Sequence, residues 1–260
     1  MRDVLGAEWT KLRTLPTAAW LLLGAVVVTV GLSAAVASAQ NPAYTGTSLD
    51  ATKLSLIGVD LGQAVVALFA VLLISSEYGC GLISVTVAAC PRRHLILIAK
   101  ALIAAVLSLA AGVFAVLGSL LIGGYALAGN GLTVAHGYEI TSLANATNLR
   151  AAGGTVLYLA LIALLSLGVA TIVREAVPAI AVVLGLLYLF PLLGAVVSDP
   201  TWSRHLKQIG PMTAGIAIEA TRNLKALPFS PWEGLGVLGA WALGALVLGG
   251  LLFRFRDVSK

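Results

Sequence analysis

The sequence predicts an all-α integral membrane protein with six transmembrane helices, and three observations lead there. The first is length of apolar run. Uncharged or nearly uncharged stretches occupy Thr17–Ala39, Leu54–Ser76, Ala101–Ala128, Ala151–Val173, Val177–Val197 and Gly234–Phe253, each stopped by charged residues. A hydrocarbon core about 30 Å thick takes about 20 apolar residues in a helix. Five stretches reach that length with no ionisable side chain inside, and the second reaches it by taking in Asp60. The second observation is composition: 59% of residues are hydrophobic and 10% charged, with a mean hydropathy of +1.00, against about 25% charged in soluble domains. The third is the distribution of positive charge.

With the amino terminus in the cytoplasm and six spans, the inside segments hold Arg2, Lys11, Arg13, Arg92, Arg93, Lys100, Arg174, Arg254, Arg256 and Lys260. The outside segments hold Lys53, Arg150, Arg204, Lys207, Arg222 and Lys225, four of them in one long connection where the positive-inside rule weighs less. Both termini are therefore expected in the cytoplasm, and residues 1–260 are expected to form one membrane domain. The polar gaps between spans are too short for a second one. The overall charge of +5 reads as topology rather than as a nucleic-acid footprint.

Residues 1–16 come first. Val4, Leu5, Trp9 and Leu12 share one helical face, with Arg2, Glu8, Lys11 and Arg13 largely elsewhere. The pattern predicts a short interfacial helix with Trp9 at headgroup depth, ended by Pro16; a flexible tail is the alternative. Ala37-Ser38-Ala39 has the small residues of a signal-peptide cleavage site, but the run before it exceeds the roughly 7–15 residues of such a segment. The first span is therefore expected to be retained.

Span two carries Gly58 and Gly62, and the last span carries Gly236, Ala240 and Gly244, with Ala245 and Gly249 as a second pair. Small residues four apart let helices approach closely in lipid. Packing within one subunit is the first reading and a subunit interface the second.

Residues 77–94 follow span two and run from Glu77-Tyr78-Gly79-Cys80-Gly81 to Pro91-Arg92-Arg93-His94. The edges are polar, the middle is apolar, Gly79 and Gly81 permit a sharp turn, and Pro91 closes it. This predicts a short helix presented to the cytoplasm and suited to docking a partner. Cys80 and Cys90 lie here with no zinc-type spacing and read as reduced thiols.

Residues 198–233 form the longest outside connection. Ile209, Met212, Ile216 and Ile218, punctuated by Pro211 and Pro228, predict one or two short helices at the outer interface, or a loop with buried anchors.

Chemistry is bounded mainly by missing motifs. The sequence holds no G-x-x-x-x-G-K-[ST] phosphate-binding loop, no H-E-x-x-H and no G-x-S-x-G. The chain is expected not to be an enzyme by itself, with no catalytic residue, no cofactor and no metal site. Ion- and proton-coupled carriers place ionisable groups within their spans. Here Asp60 alone comes close, and it reads as an interfacial cap.

Glu77, Tyr78, Gly81, Pro91, Arg92, Arg93 and Lys100 stand at the spacing of a family pattern, and so does the opening Glu8-Trp9-Thr10-Lys11-Leu12-Arg13-Thr14. With Leu61-Gly62-Gln63 and Ser230-Pro231-Trp232, they make the chain resemble the permease subunits of ABC-2 type ATP-binding-cassette exporters, particularly short actinobacterial forms. Leu82 and Ser84 depart from that pattern, which usually has a threonine and often a basic residue there.

The resemblance implies a bacterial plasma-membrane exporter subunit that works as a dimer with an identical or related permease. A separate cytoplasmic ATPase would carry ATP and Mg. Residues 77–94 would act as the coupling helix through Glu77, Tyr78, Gly81, Pro91, Arg92 and Arg93, and Pro211, Met212 and Gly215 would help close the outer side. A non-transporting scaffold or sensor that docks a cytoplasmic partner is the second reading.

Overall fold

The computed structural model describes residues 6–11, 16–40, 50–79, 93–130, 145–197, 199–224, 227 and 229–255. Residues 6–11 are helical (α1). The further helices are α2 (Pro16–Ser38), α3 (Ala51–Leu56), α4 (Val59–Gly79), α5 (Arg93–Gly129), α6 (Ala146–Val173), α7 (Ala176–Val196), α8 (Pro200–Ile209), α9 (Pro211–Gly215) and α10 (Pro231–Phe255), with a 3₁₀ turn at Ile216–Glu219 between the last two. Among the described residues there is no strand. Six helical segments are long and apolar enough to cross a membrane, with α3 and α4 acting together as the second. All six lie on the six stretches read from the sequence. The chain is a multi-pass helical membrane protein.

Local chemistry sets several ends. The Asp50 carboxylate caps α3 by accepting the Lys53 N–H, and Asn145 caps α6 by accepting the Thr147 N–H. These side chains satisfy donors that a helix start leaves open. Arg174 ends α6 in the left-handed region at φ 69°, its N–H returning to the Ala170 carbonyl, and α7 starts two residues on. Asp199 and Pro200 open α8.

The centre of the bundle is α6. It packs on α10, α5, α4 and α7, and its apolar side chains Tyr158, Ile162, Leu165 and Leu167 are fully enclosed. The outer helices turn large apolar side chains outward, as a lipid-facing belt requires: Trp20, Phe114, Leu121, Val177 and Leu243 are all well over half exposed.

Two close helix contacts rest on glycine. Gly58 and Gly62 let span two meet α2, where the Gly58 N–H donates to Ser33 Oγ at 3.0 Å and a Cβ at either glycine would collide with Thr29. Between α6 and α10, a Cβ on Gly168 would sit 2.7 Å from the Ala245 backbone, and one on Gly249 3.0 Å from the Gly168 carbonyl oxygen. The Ala245–Gly249 pair is thus a packing contact inside the subunit.

The Gly236, Ala240 and Gly244 stripe is different. All three are exposed, and a Cβ at either glycine would meet nothing within 4 Å. This corrects the first reading of that stripe as packing within one subunit. The helices run past the ends of the uncharged stretches, and span two keeps the Asp60 that it was expected to take in. Lys100 lies within α5 and Arg150 within α6, while Asp60 and Glu77 lie within α4.

The helix ends sort into two faces. One carries α1, the end of α4, the start of α5 and the α6–α7 junction, and is called the N-terminal face below. The other carries α3, the starts of α6 and α10, and α8, α9 and the 3₁₀ turn. It is called the opposite face.

Candidate functional site

Polar side chains gather at both faces. At the N-terminal face, Lys100 is 2% exposed and its ammonium donates to Glu8 Oε2 at 2.7 Å, Glu77 Oε1 at 2.9 Å and the Leu73 carbonyl at 3.3 Å. Lys11, more than one third exposed, bridges the same two carboxylates, to Glu8 Oε1 at 2.9 Å and Glu77 Oε1 at 3.0 Å. Two acids and two bases from α1, α4 and α5 form one cluster in which the formal charges balance. Both Glu8 oxygens are engaged. Glu77 Oε1 accepts twice, while Glu77 Oε2 is buried without a hydrogen-bond partner among the described residues.

Electrostatics favour the charged forms at the N-terminal face. Burial by itself would raise the Glu8 carboxyl, but attraction and hydrogen bonding from Lys100 and Lys11 outweigh it and hold Glu8 below its ordinary value. Burial would lower Lys11, and its bonds to Glu8 and Glu77 reverse that, raising it. Beside the cluster, the Arg174 guanidinium lies over the Tyr78 ring, 5.7 Å from its centre.

The positions of the site residues differ from expectation in one respect. Glu77 and Tyr78 belong to the last turns of α4, so they terminate a span rather than begin a separate helix. Arg93 opens α5. Gly81, Pro91 and Arg92 lie outside the described residues, as do Cys80, Cys90 and Arg13. On α1, Glu8 faces inward at 3% exposure and Trp9 is half-exposed, so Glu8 is no part of a solvated polar face.

At the opposite face, Asp50 ties span two to the segment after the 3₁₀ turn. Its carboxylate accepts the Thr221 N–H and hydroxyl, each at 2.6 Å, and the Arg222 N–H at 3.0 Å. Arg150 donates to the Ile218 and Ala220 carbonyls on either side of Glu219. Glu219 is thereby held inward at 2% exposure.

The Thr155 hydroxyl bonds the Ala151 carbonyl at 2.8 Å and lies 3.5 Å from Glu219 Oε1. Burial first, then the neighbouring Asp60, push the Glu219 carboxyl well above its ordinary value; Lys53 and Thr155 oppose this, and Asp50 adds a smaller push upward. Below it the Tyr158 hydroxyl donates to Gln63 Oε1, and the Tyr188 hydroxyl donates to the Asp60 carbonyl.

A cavity of about 430 Å³ opens among these groups. Leu54, Ile57, Pro191, Met212 and Ile216 form apolar walls, Asp50, Asp60 and Glu219 contribute carboxylates, and Lys53 contributes an ammonium. Pro191 sits inside α7, where its ring removes one helix hydrogen bond. Of the proposed outer-gate residues, Met212 lines this cavity, Pro211 is buried, and Gly215 sits close against the Tyr158 ring.

The described residues contain no group of three His, Cys, Asp or Glu placed to hold a metal ion. From the sequence, Glu219 carried no assigned role, and Gln63 entered only within the Leu61-Gly62-Gln63 pattern. The sequence reading placed Lys100 at the end of a surface segment, although a lone lysine in the apolar run from Leu95 to Ala111 was a signal that it needed a buried partner. No protein-family model and no curated protein matches the chain.

Proposed function

We propose that the chain is the permease subunit of an ATP-driven exporter, embedded in a bacterial plasma membrane with both termini in the cytoplasm. It would work as a dimer with an identical or related permease, coupled to a separate ATPase. The observation that carries this reading is the Glu8–Lys11–Glu77–Lys100 cluster. It joins α1, α4 and α5 at the root of residues 80–92, the segment that would dock the ATPase. A displacement of that segment would pull on two spans and the N-terminal helix together, because their charged groups share partners. Coupling of this kind needs an element with two arrangements biased by nucleotide. The missing phosphate-binding loop agrees, since hydrolysis is then left to a partner.

Purification of the chain alone and with its native partners tests the reading. Alone it should turn over no ATP above background, and with partners an ATPase should copurify. Robust hydrolysis by the isolated chain would overturn the proposal. Reporter fusions test its sidedness: positions 45 and 140 should be external, and position 85 and the carboxyl terminus internal.

A further inference from the structure

The cavity at the opposite face has a chemistry that the transport reading does not use. Most of its wall is apolar, yet the Asp60 carboxylate has no hydrogen-bond partner among the described residues, and Glu219 has one, the Thr155 hydroxyl at 3.5 Å from Oε1. Asp50 is fully engaged by Thr221, Arg222 and the Lys53 N–H. The Asp60 carboxylate makes no hydrogen bond within the described residues, and neither does Glu219 Oε2, on a side chain 98% buried. Lys53 also lines the cavity; it is exposed and forms no salt bridge with either carboxylate, although its charge reaches both. A buried carboxylate left open is costly, so a ligand that supplies positive charge gains by entering. A metal ion would need a third ligating side chain near these two, and none is placed there among the described residues.

We propose that this cavity binds an organic cation with an apolar body. Asp60 and Glu219 receive the positive centre, and Leu54, Ile57, Met212 and Ile216 enclose the hydrocarbon. The volume lies in the range of small-molecule sites, about 300–1,000 Å³.

Binding carries a proton consequence. The groups facing Glu219 are Asp50, Lys53 and Asp60 from span two, and Arg150, Thr155 and Tyr158 from α6; Tyr188 of α7 reaches Asp60. Glu233 of α10 is exposed and bonds the Ser230 N–H. Burial among acids favours the protonated Glu219, so a cation arriving at its carboxylate displaces one proton to solvent. Affinity for a permanent cation should therefore rise with pH.

The test uses the intact purified chain in detergent, with no nucleotide and no partner, so its outcome is separable from the exporter reading. Equilibrium dialysis measures radiolabelled tetraphenylphosphonium, with tetraphenylborate as the anion of matched shape. Saturable binding of the cation is expected, with no displacement by the anion. Glu219→Gln should weaken it roughly tenfold or more, and Ile57→Trp, which fills the cavity and keeps every carboxylate, should weaken it as much. In the unmodified chain, affinity should climb by up to roughly tenfold per pH step of about one while Glu219 is protonated.

Absence of saturable binding, pH-independent affinity, or equal affinity for the anion would overturn the proposal. So would unchanged affinity in a monodisperse Glu219→Gln variant. Should that variant misfold, Ile57→Trp and the pH profile of the unmodified chain decide alone.

Discussion

The two faces of the bundle handle charge in opposite ways. At the N-terminal face each buried acid has a buried or half-buried base, and Lys100 fills all its donor positions with Glu8, Glu77 and Leu73. At the opposite face the acids outnumber the bases inside, and Glu219 is held by Arg150 gripping its neighbours' carbonyls rather than its own carboxylate. The first arrangement locks elements together. The second keeps acceptors open beside a cavity. Burial alone does not distinguish a structural charge from a binding one; what distinguishes them is whether the partners belong to the chain.

The largest effect should come from removing Lys100. Lys100→Met leaves Glu8 and Glu77 buried without their main counter-charge, and should destabilise the chain by roughly 3–5 kcal/mol in detergent unfolding. Lys11→Met, at a side chain more than one third exposed, should cost less than about 1 kcal/mol. Adding Glu8→Gln and Glu77→Gln to Lys100→Met should restore much of the loss. Equal losses for the two lysines would remove the distinction between a buried lock and a surface pair.

Next in size are the glycines. Gly168→Leu must displace the Ala245 backbone and should cost about 1–3 kcal/mol or more. Gly244→Leu, which meets open space, should stay within about 0.5 kcal/mol for the monomeric fold. Thermal unfolding of the two variants side by side checks this.

The smallest effect is a difference in pH slope. Glu8 lies below its ordinary value of 4.5 in the folded state, so its contribution is present above pH 4.5 and is lost as pH falls through the folded value. Glu219 lies above that same ordinary value, so its contribution is present below pH 4.5 and is lost as pH rises through the folded value. Glu219→Gln should therefore unfold at a higher temperature than the unmodified chain near pH 8, with the gap closing toward about pH 5. A gap that widens on acidification would contradict the charge assignment at this face.

The sequence by itself determined the number and position of the spanning helices, because run length and the charges that end each run are local properties. For residues 198–233 the sequence leaves one or two short helices and a loop with buried anchors both open. The structure has helices at Pro200–Ile209 and Pro211–Gly215, and of their opening prolines only Pro211 reads as punctuation in the sequence.

Only the tertiary structure decided which faces meet. Glu8 and Lys100 are 92 residues apart in the chain, and Thr155 is 64 residues from Glu219; no local pattern links either pair. The glycines show the same limit. Gly168, Gly249 and Gly244 look alike in sequence, yet two are packed against a neighbouring helix and one is open. A spanning helix is apolar on every side, toward lipid and toward its neighbours alike. The periodicity that marks the buried side of a soluble helix is then nearly erased, and the contacts are chosen by close packing and by the few polar groups that must find partners away from water.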